Sequence, residues 1–561
     1  MLLNVLDNIG DRNPQVFREL KGRLNLRNIL ITGAASGLIQ FIVFQGFNSE
    51  LPVDFEQDIF RKEAYSRFCK GPGEACVRLA DGSFDINWQW WWLHIFTWLS
   101  VIMLFILLVG GTYLLINDLA REEKRGTLNF LRLTPQPTHS LLLGKLLGVP
   151  ILLYLFVAFT IPLHLRAAIG AELSARRILL FYALMIASSI FFFSAAILFA
   201  FAASWLNGFQ AWLGSGILLG FFLISMAWLQ NGYQIENVTA WLRLLSPLEV
   251  SSYIFPFSTV YGYSSPSTLQ NLQFLQWQAD NNSWLVICLT FGNYALWTYW
   301  VWQGLNRCFR NPNTTLFSKK QSYGFVACCQ VLCFGFAVPL LAHDRYIFGN
   351  LLAFNFLLFM SLIAILSPHR TALYDWARYR YQQSNLGKAF WKSFLDKKLL
   401  FDDKSPAVVA IAVNLAISAI PVIALLCLKL IVEAKDVPED VTKFILGMAL
   451  FASIMMIFTT VAQRMLLLAN PKRSLWATLT IASLIILPPI MLALLRMGDT
   501  YNHPNVWLFT SIPWVGIEQA STTAMFMALL SELAVVVLLN ANLGRQLRLA
   551  GESETKALLS Q

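Results

Sequence analysis

"VIMLFILLVGGTYLLINDLAREEKRGTLNFLRLTPQPTHSLLLGKLLGVP", residues 101–150, sets a charged, proline-broken stretch directly against an apolar one. Residues 101–116 carry no charged side chain, whereas Arg121 to Arg125 are five consecutive charged residues. An Arg, Lys or Asp costs roughly 2.5–3.5 kcal/mol at the centre of an apolar span. Five of them would cost on the order of 10 kcal/mol even with neighbouring pairs, which predicts that this stretch lies in water or at an interface. Leu128 and Leu131 fall on one helical face, away from most of the charges. Pro135 and Pro137 end that helix, since neither supplies an amide donor and each disfavours helix in the residue before it. Thr138 then stands where it can cap a second short helix, "HSLLLGKLLG". The reading is an amphipathic elbow that ends in an apolar helix.

The rest of the chain has the same apolar character. Of 561 residues, 57% are hydrophobic and 13% charged, and the mean hydropathy is +0.56. A soluble domain carries about 25% charged residues, so the surplus apolar surface calls for another solvent. Repeated apolar runs of about 18 or more residues point to a bilayer. Such runs lie near residues 28–47, 92–116, 149–165, 178–203, 211–230 and 283–304, and then 323–342, 347–366, 407–431, 443–462, 475–495 and 518–541. The expected fold is therefore all-α: a polytopic integral membrane protein of about 12 helices in two six-helix halves. With both termini cytoplasmic, Lys and Arg favour the inner segments by roughly two to one. The net charge of +10 is thus topological, and with no basic stripe of interleaved aromatics it does not imply nucleic acid. Residues 1–27, with Arg12, Arg18, Lys21, Arg23 and Arg27, are too long and too charged for a cleaved signal peptide.

The expected organisation is a first half over 1–304, a basic linker over 305–322 and a second half over 323–561. The first half has outer loops at 48–91 and 231–282 and an inner loop at 117–148. "WLRLLSPLEVSSYIFPF", Trp241–Phe257, is apolar but broken by Pro247 and Pro256, and reads as a re-entrant segment. "WQWWWLHIFTW", Trp88–Trp98, reads as an aromatic belt. Of eight cysteines, Cys69 and Cys76 share "CKGPGEAC", which Gly and Pro allow to close as a disulfide in an oxidising compartment. Glu532, in "MALLSELAVVV", stands inside the last apolar run. It is either a proton or substrate contact or an acid satisfied by a neighbouring polar group.

"EEKRGTLNFLRLTPQPTHSLLLGKLL" resembles the signature of type-2 ATP-binding-cassette (ABC) export permeases. The matching positions are Glu122, Gly126, Thr127, Leu128, Leu131, Pro135, Gly144 and Lys145. "NPQVFRELKGRL", with Asn13, Pro14 and Glu19, is similar to that family's amphipathic entry helix. "LSPLEV", Leu245–Val250, is similar to its outer element. The resemblance covers roughly residues 10–305. It implies the transmembrane subunit of an exporter in a bacterial-type plasma membrane, moving an amphiphilic or hydrophobic substrate across the membrane, with membrane lipid as a partner. A separate cytoplasmic ABC ATPase would push on residues 117–148 and would hold the ATP and Mg. The second half lacks the signature. It is either a diverged partner domain or an accessory module on a permease that forms a homodimer.

Other chemistries find little in the sequence. No Gly-x-x-x-x-Gly-Lys-Ser/Thr occurs. The six histidines are scattered without a metal-ligand spacing, and no Gly-x-Ser-x-Gly elbow is present. The chain is thus expected to be no enzyme, with no catalytic group, metal or cofactor of its own. The alternatives to a permease are a secondary transporter or channel, or a membrane-embedded lipid-modifying protein.

Overall fold

The computed structural model describes residues 13–52, 66–70, 76–77, 79, 83–206, 208–231, 240–255, 269, 272–275, 277–278, 283–311, 314–340, 347–384, 400–433, 438–470 and 472–559. Parts of the expected outer loops 48–91 and 231–282 and of the linker 305–322, with Arg12 and Pro256, lie outside the described residues. Apart from two two-residue strands, Gln273–Phe274 and Trp277–Gln278, the regular structure is helical.

Two compact units divide the chain, the first lying mostly within residues 1–310 and the second mostly within 311–561. The first opens with α1 (Pro14–Arg23) and α2 (Leu26–Ser49). Helix α3 (Trp88–Lys124) follows and contains one π-helical turn at Ile106–Gly110. The elbow consists of α4 (Thr127–Leu133) and α5 (Thr138–Gly148). Next come α6 (Ile151–Gly170), α7 (Ala175–Ala202), α8 (Gln210–Asn231), the short α9 (Ala240–Arg243) and α10 (Pro247–Ile254), and α11 (Ser283–Arg310). Helix α3 is the hub, packing on α6, α7 and α8, while α2 lies on α6 and α11 on α7. Phe96, Leu99, Met103, Leu104 and Leu108 of α3 are fully buried. Close packing of this kind recovers the many small dispersion contacts that such side chains can make.

The second unit contains α12 (Lys319–Ala337), α13 (Ile347–Leu366), α14 (Arg370–Ser384), α15 (Ala407–Glu433), α16 (Pro438–Leu466), α17 (Arg473–Leu494), α18 (Pro504–Trp507) and α19 (Thr522–Leu559). Helix α16 packs on α19, α17 and α15, and α15 packs on α12. Residues 305–310, expected in the linker, belong to helix α11, with Leu305, Cys308 and Phe309 buried.

The expected count of twelve spans in two equal halves is corrected. Among the described residues, ten helices are long and apolar enough to cross a membrane, by length and composition. Helices α11 and α12 are not among them. The first dilutes its apolar residues with Asn293, Gln303, Asn306 and four Trp/Tyr positions from Trp297 to Trp302, and the second opens on Lys319 and Lys320. The plain membrane bundle of two six-helix halves is corrected by buried charge as well. Glu19, Lys145, Arg243, Glu249 and Lys319 are buried, and each meets a polar or charged partner inside the protein. Such groups tolerate burial only when paired or hydrogen-bonded.

Candidate functional site

The elbow is built differently from its sequence reading. Helix α3 runs straight through the charged stretch to Lys124, and the break falls at Gly126, whose φ of 71° lies in the left-handed region. An L side chain pays a conformational cost there that Gly avoids. Leu128 then buries itself as the anchor of α4, while Phe130 and Leu133 stay exposed. Helix α5 starts after Pro137 without a side-chain cap. Instead of capping, the Thr138 hydroxyl accepts a bond from Arg310 Nε at 3.0 Å, and nearby Arg132 Nε donates to the Phe309 carbonyl at 2.8 Å.

Helix α1 lies on α5. Asn13 caps α1, its Oδ1 accepting from the Gln15 and Val16 amides, and its Nδ2 donates to the Ser140 carbonyl at 2.8 Å. Pro14 follows at the first helical position, where its missing N–H costs nothing. The close approach depends on two glycines four residues apart. A Cβ on Gly144 would fall 2.6 Å from Gln15 Cγ, and one on Gly148 would fall 2.4 Å from Glu19 Cβ.

That approach brings Glu19 to Lys145. The Lys145 ammonium, 3% exposed, lies 2.7 Å from Glu19 Oε1, 2.7 Å from Asp118 Oδ2 and 2.8 Å from Glu122 Oε1. Arg23 bridges Glu19 at 3.2 Å and Asp118 at 2.7 Å, and Arg18 pairs with Glu122 and Glu19. Gln15 Nε2 adds a bond to Glu19 Oε1 at 3.0 Å. Three carboxylates thus face three cations. Burial alone would push Glu19 up, but Lys145, Arg23 and Arg18 outweigh it and hold its carboxyl below the usual range. Burial likewise works against the charged form of Lys145, but Asp118, Glu19 and Glu122 reverse this and hold its pKa above the ordinary lysine value. Glu122 Oε2 is buried without a hydrogen-bond partner.

The expectation of a chain with no metal or cofactor of its own is therefore corrected. Glu19, Asp118 and Glu122 offer ligand atoms within 4.8 Å of one another, a donor set that can hold a metal ion. This also overturns the plain statement that the chain is no enzyme, because clustered carboxylates supply metal-binding and acid–base chemistry. At the centre of the set stands the Lys145 ammonium.

The sequence-predicted residues divide into two groups. Asn13, Pro14, Glu19, Glu122, Gly144 and Lys145 converge on this corner, and Gly126, Thr127, Leu128 and Leu131 shape the turn beside it, with Pro135 exposed beyond. Asp118 was not singled out and Arg23 was read only as one of the basic residues before the first apolar run, although Asp118–Glu122 and Glu19–Arg23 are both four apart and each pair shares a helix face. Away from the corner, Cys69 and Cys76 are joined by a disulfide, and Phe68 beside it is fully buried against Phe47 and His94. Trp91, expected in an aromatic belt, is buried and donates to the Phe47 carbonyl at 2.9 Å. Glu532 accepts from the Ser453 hydroxyl across α16 and α19.

A further polar cluster escaped the sequence reading. Ser100 Oγ lies 2.8 Å from His164 Nε2, and His164 Nδ1 lies 2.8 Å from the Tyr182 hydroxyl. The Ser100 hydroxyl also meets the Phe96 carbonyl at 2.8 Å. Ser100 and His164 are fully buried and both ring nitrogens are occupied. The cluster works as a polar staple joining α3, α6 and α7.

The chain matches no family model, no curated protein and no solved structure. The resemblance to ABC export permeases is thus not upheld, and the exporter function and the ATPase partner implied by it fall with it. The inward engagement of the elbow gives the same correction in physical terms. Glu122 and Lys145, expected to couple to a partner ATPase, spend their charges on Arg18, Glu19 and Asp118 of the same chain. The homodimer and the bacterial-type plasma membrane rested on the same resemblance and lose their support, and the lipid partner, expected from the apolar runs, is corrected by the internal packing of the helices and their buried charged groups.

Proposed function

We propose that the Lys145 cluster is a cation-centred clasp whose work is to lock α1, the end of α3 and α5 into one rigid corner. The observation that carries this is the approach of one buried ammonium to three carboxylates from two distant segments at 2.7–2.8 Å. An ammonium with three donors and three acidic partners is satisfied where it stands. In this reading Gly144 and Gly148 provide the seat, Asn13 and Pro14 start the helix that fills it, and Gly126 provides the turn. Leu128, Leu131 and the Thr127–Pro135 stretch carry the corner into the elbow. Glu532 acts as a polar contact between α16 and α19, and residues 311–318 connect the two units.

One observation favours a second reading. The unpartnered Glu122 Oε2 beside two other carboxylates suits a divalent metal ion that displaces the ammonium. Titration of the full chain with Mn2+, followed by electron paramagnetic resonance, separates the two. The clasp predicts no saturable binding in the native protein. Binding of one Mn2+ per chain that disappears in Glu122→Gln would replace the clasp with a metal centre.

A further inference from the structure

Of the segment Trp241–Phe257, read from sequence as a re-entrant piece, the described residues 241–255 hold the end of α9 and the whole of α10, and α10 is enclosed along nearly its whole length. Its first turn holds an unusual pair of polar groups. Ser246 precedes α10 and Glu249 stands three residues on, the spacing of a reciprocal N-terminal cap. Neither side chain caps. Arg243 Nε donates to Glu249 Oε2 at 2.7 Å instead, through the guanidinium that lies over the Trp228 ring at 5.1 Å. Glu249 Oε1 and Ser246 Oγ are left without partners, and both residues are fully buried.

Charge on this carboxylate is therefore poorly supported. One oxygen receives a single donor and the other receives none, away from water. A buried acid in that position favours its neutral form. The elements packed on α10 do little to change the balance. Helix α8 carries no titratable residue, and α3 contributes only His94 within Trp88–Phe105; His94 sits among Phe47, Phe68 and Trp90. On α7, Arg176 lies over Trp284 and Tyr182 is bonded to His164, while Arg177 lies beside Arg176 at the same start of the helix. From α11, Tyr294 gives its hydroxyl proton to the Leu245 carbonyl at 2.9 Å. Arg243 is the charged group that faces Glu249, and burial, opposed by that guanidinium, moves the carboxyl up to about 7.

We propose that Glu249 is a proton-binding site which keeps α10 docked while protonated and loosens it on ionisation. The sign follows from linkage. The docked state holds its proton up to a higher pH than a solvated glutamate does, so docking is favoured as pH falls and opposed as pH rises. What moves is the cover over an aromatic cluster. Phe255, directly after α10, lies 4.8 Å from Phe96 and 6.0 Å from Phe181, and Phe96 stacks on His164 at 4.1 Å. Loosening α10 would expose that cluster and the Ser100–His164–Tyr182 staple beneath it.

The test is amide hydrogen exchange on the full chain between about pH 4 and pH 9, with α6 in the same molecules as an internal clock. The α10-to-α6 exchange ratio should climb by up to about tenfold per unit between the solvated-glutamate range near 4.5 and about pH 7, as expected for one proton, and level off above it once the docked carboxyl has itself ionised. In Glu249→Gln, whose amide keeps an acceptor for Arg243 but cannot ionise, the ratio should stay flat and low. A native ratio that is level across the range overturns the proposal, as does a Glu249→Gln ratio that climbs like the native one. The native profile alone decides the matter if the variant does not fold.

Discussion

Replacing Lys145 with Met keeps the length and apolar stem of the side chain and removes the ammonium. Three carboxylates whose ligand atoms lie within 4.8 Å of one another then lose their shared cation. Removing one partner of a buried charge pair costs about 3–5 kcal/mol, because the remaining charge is left buried and uncompensated. Lys145 is 3% exposed, so solvent screening takes little from that figure. The arginines offset part of it, but Arg18 is half exposed and contributes about 0–1 kcal/mol. At about 1.4 kcal/mol per factor of ten, opening of α1 from α5 should become roughly two to four orders of magnitude more frequent. Hydrogen exchange of the α1 amides, referenced to α6, reads this directly. A double variant, Lys145→Met with Glu19→Gln, should recover part of the lost protection, since the least exposed acid is then neutral. Protection of α1 that changes by less than about threefold in Lys145→Met would refute the idea that one ammonium holds this corner.

Other outcomes follow from the same geometry. Gly148→Ala places a methyl 2.4 Å from Glu19 Cβ, so α1 must lift and limited proteolysis should cut near Arg23 sooner, at a cost of about 1–3 kcal/mol. Gly126→Ala meets nothing within 4 Å but forces a side chain into left-handed backbone, and thermal unfolding should report a loss of about 1 kcal/mol. The clasp should also have a broad pH plateau. Glu19 is held below its ordinary 4.5, so its contribution is present above that value and lost as pH falls through the lowered one. Lys145 is held above 10.5, so its contribution is present below that value and lost as pH rises through the raised one. Protection of α1 should therefore be level from about pH 5 to pH 10 and fall outside it.

Much of the helical framework was legible because apolar runs report helices locally. Helices α2, α6, α7 and α8 begin and end within about five residues of the runs that announce them, whereas α3 continues past its run, through the charged residues, to Lys124. The corner was legible only as separate parts. Glu19, Glu122, Gly144 and Lys145 were each singled out, but for an imagined partner. Lys145 meets Glu19 across 126 positions, and Arg23 meets Asp118 across 95. No periodicity spans such distances. The four-residue pairs Asp118–Glu122, Glu19–Arg23 and Gly144–Gly148 carried the usable signal, since each marks a face prepared for a neighbour. Ser100, His164 and Tyr182 gave no warning at all, because a lone His in an apolar run reads the same whether or not two hydroxyls await it.

The π-helical turn at Ile106–Gly110 gives those faces their aim. A turn of this kind accommodates one extra residue, and each residue of an α-helix advances the side-chain direction by about 100°. Everything beyond Gly110 on α3, Asp118 and Glu122 included, is thereby swung by more than a quarter of a circle from where an uninterrupted spiral would point it. Deleting Leu108 would let the ladder close as ordinary α-helix. Both acids would then keep their aim at α5, whereas a regular α-helix that retained all five residues of the turn would swing them away from it.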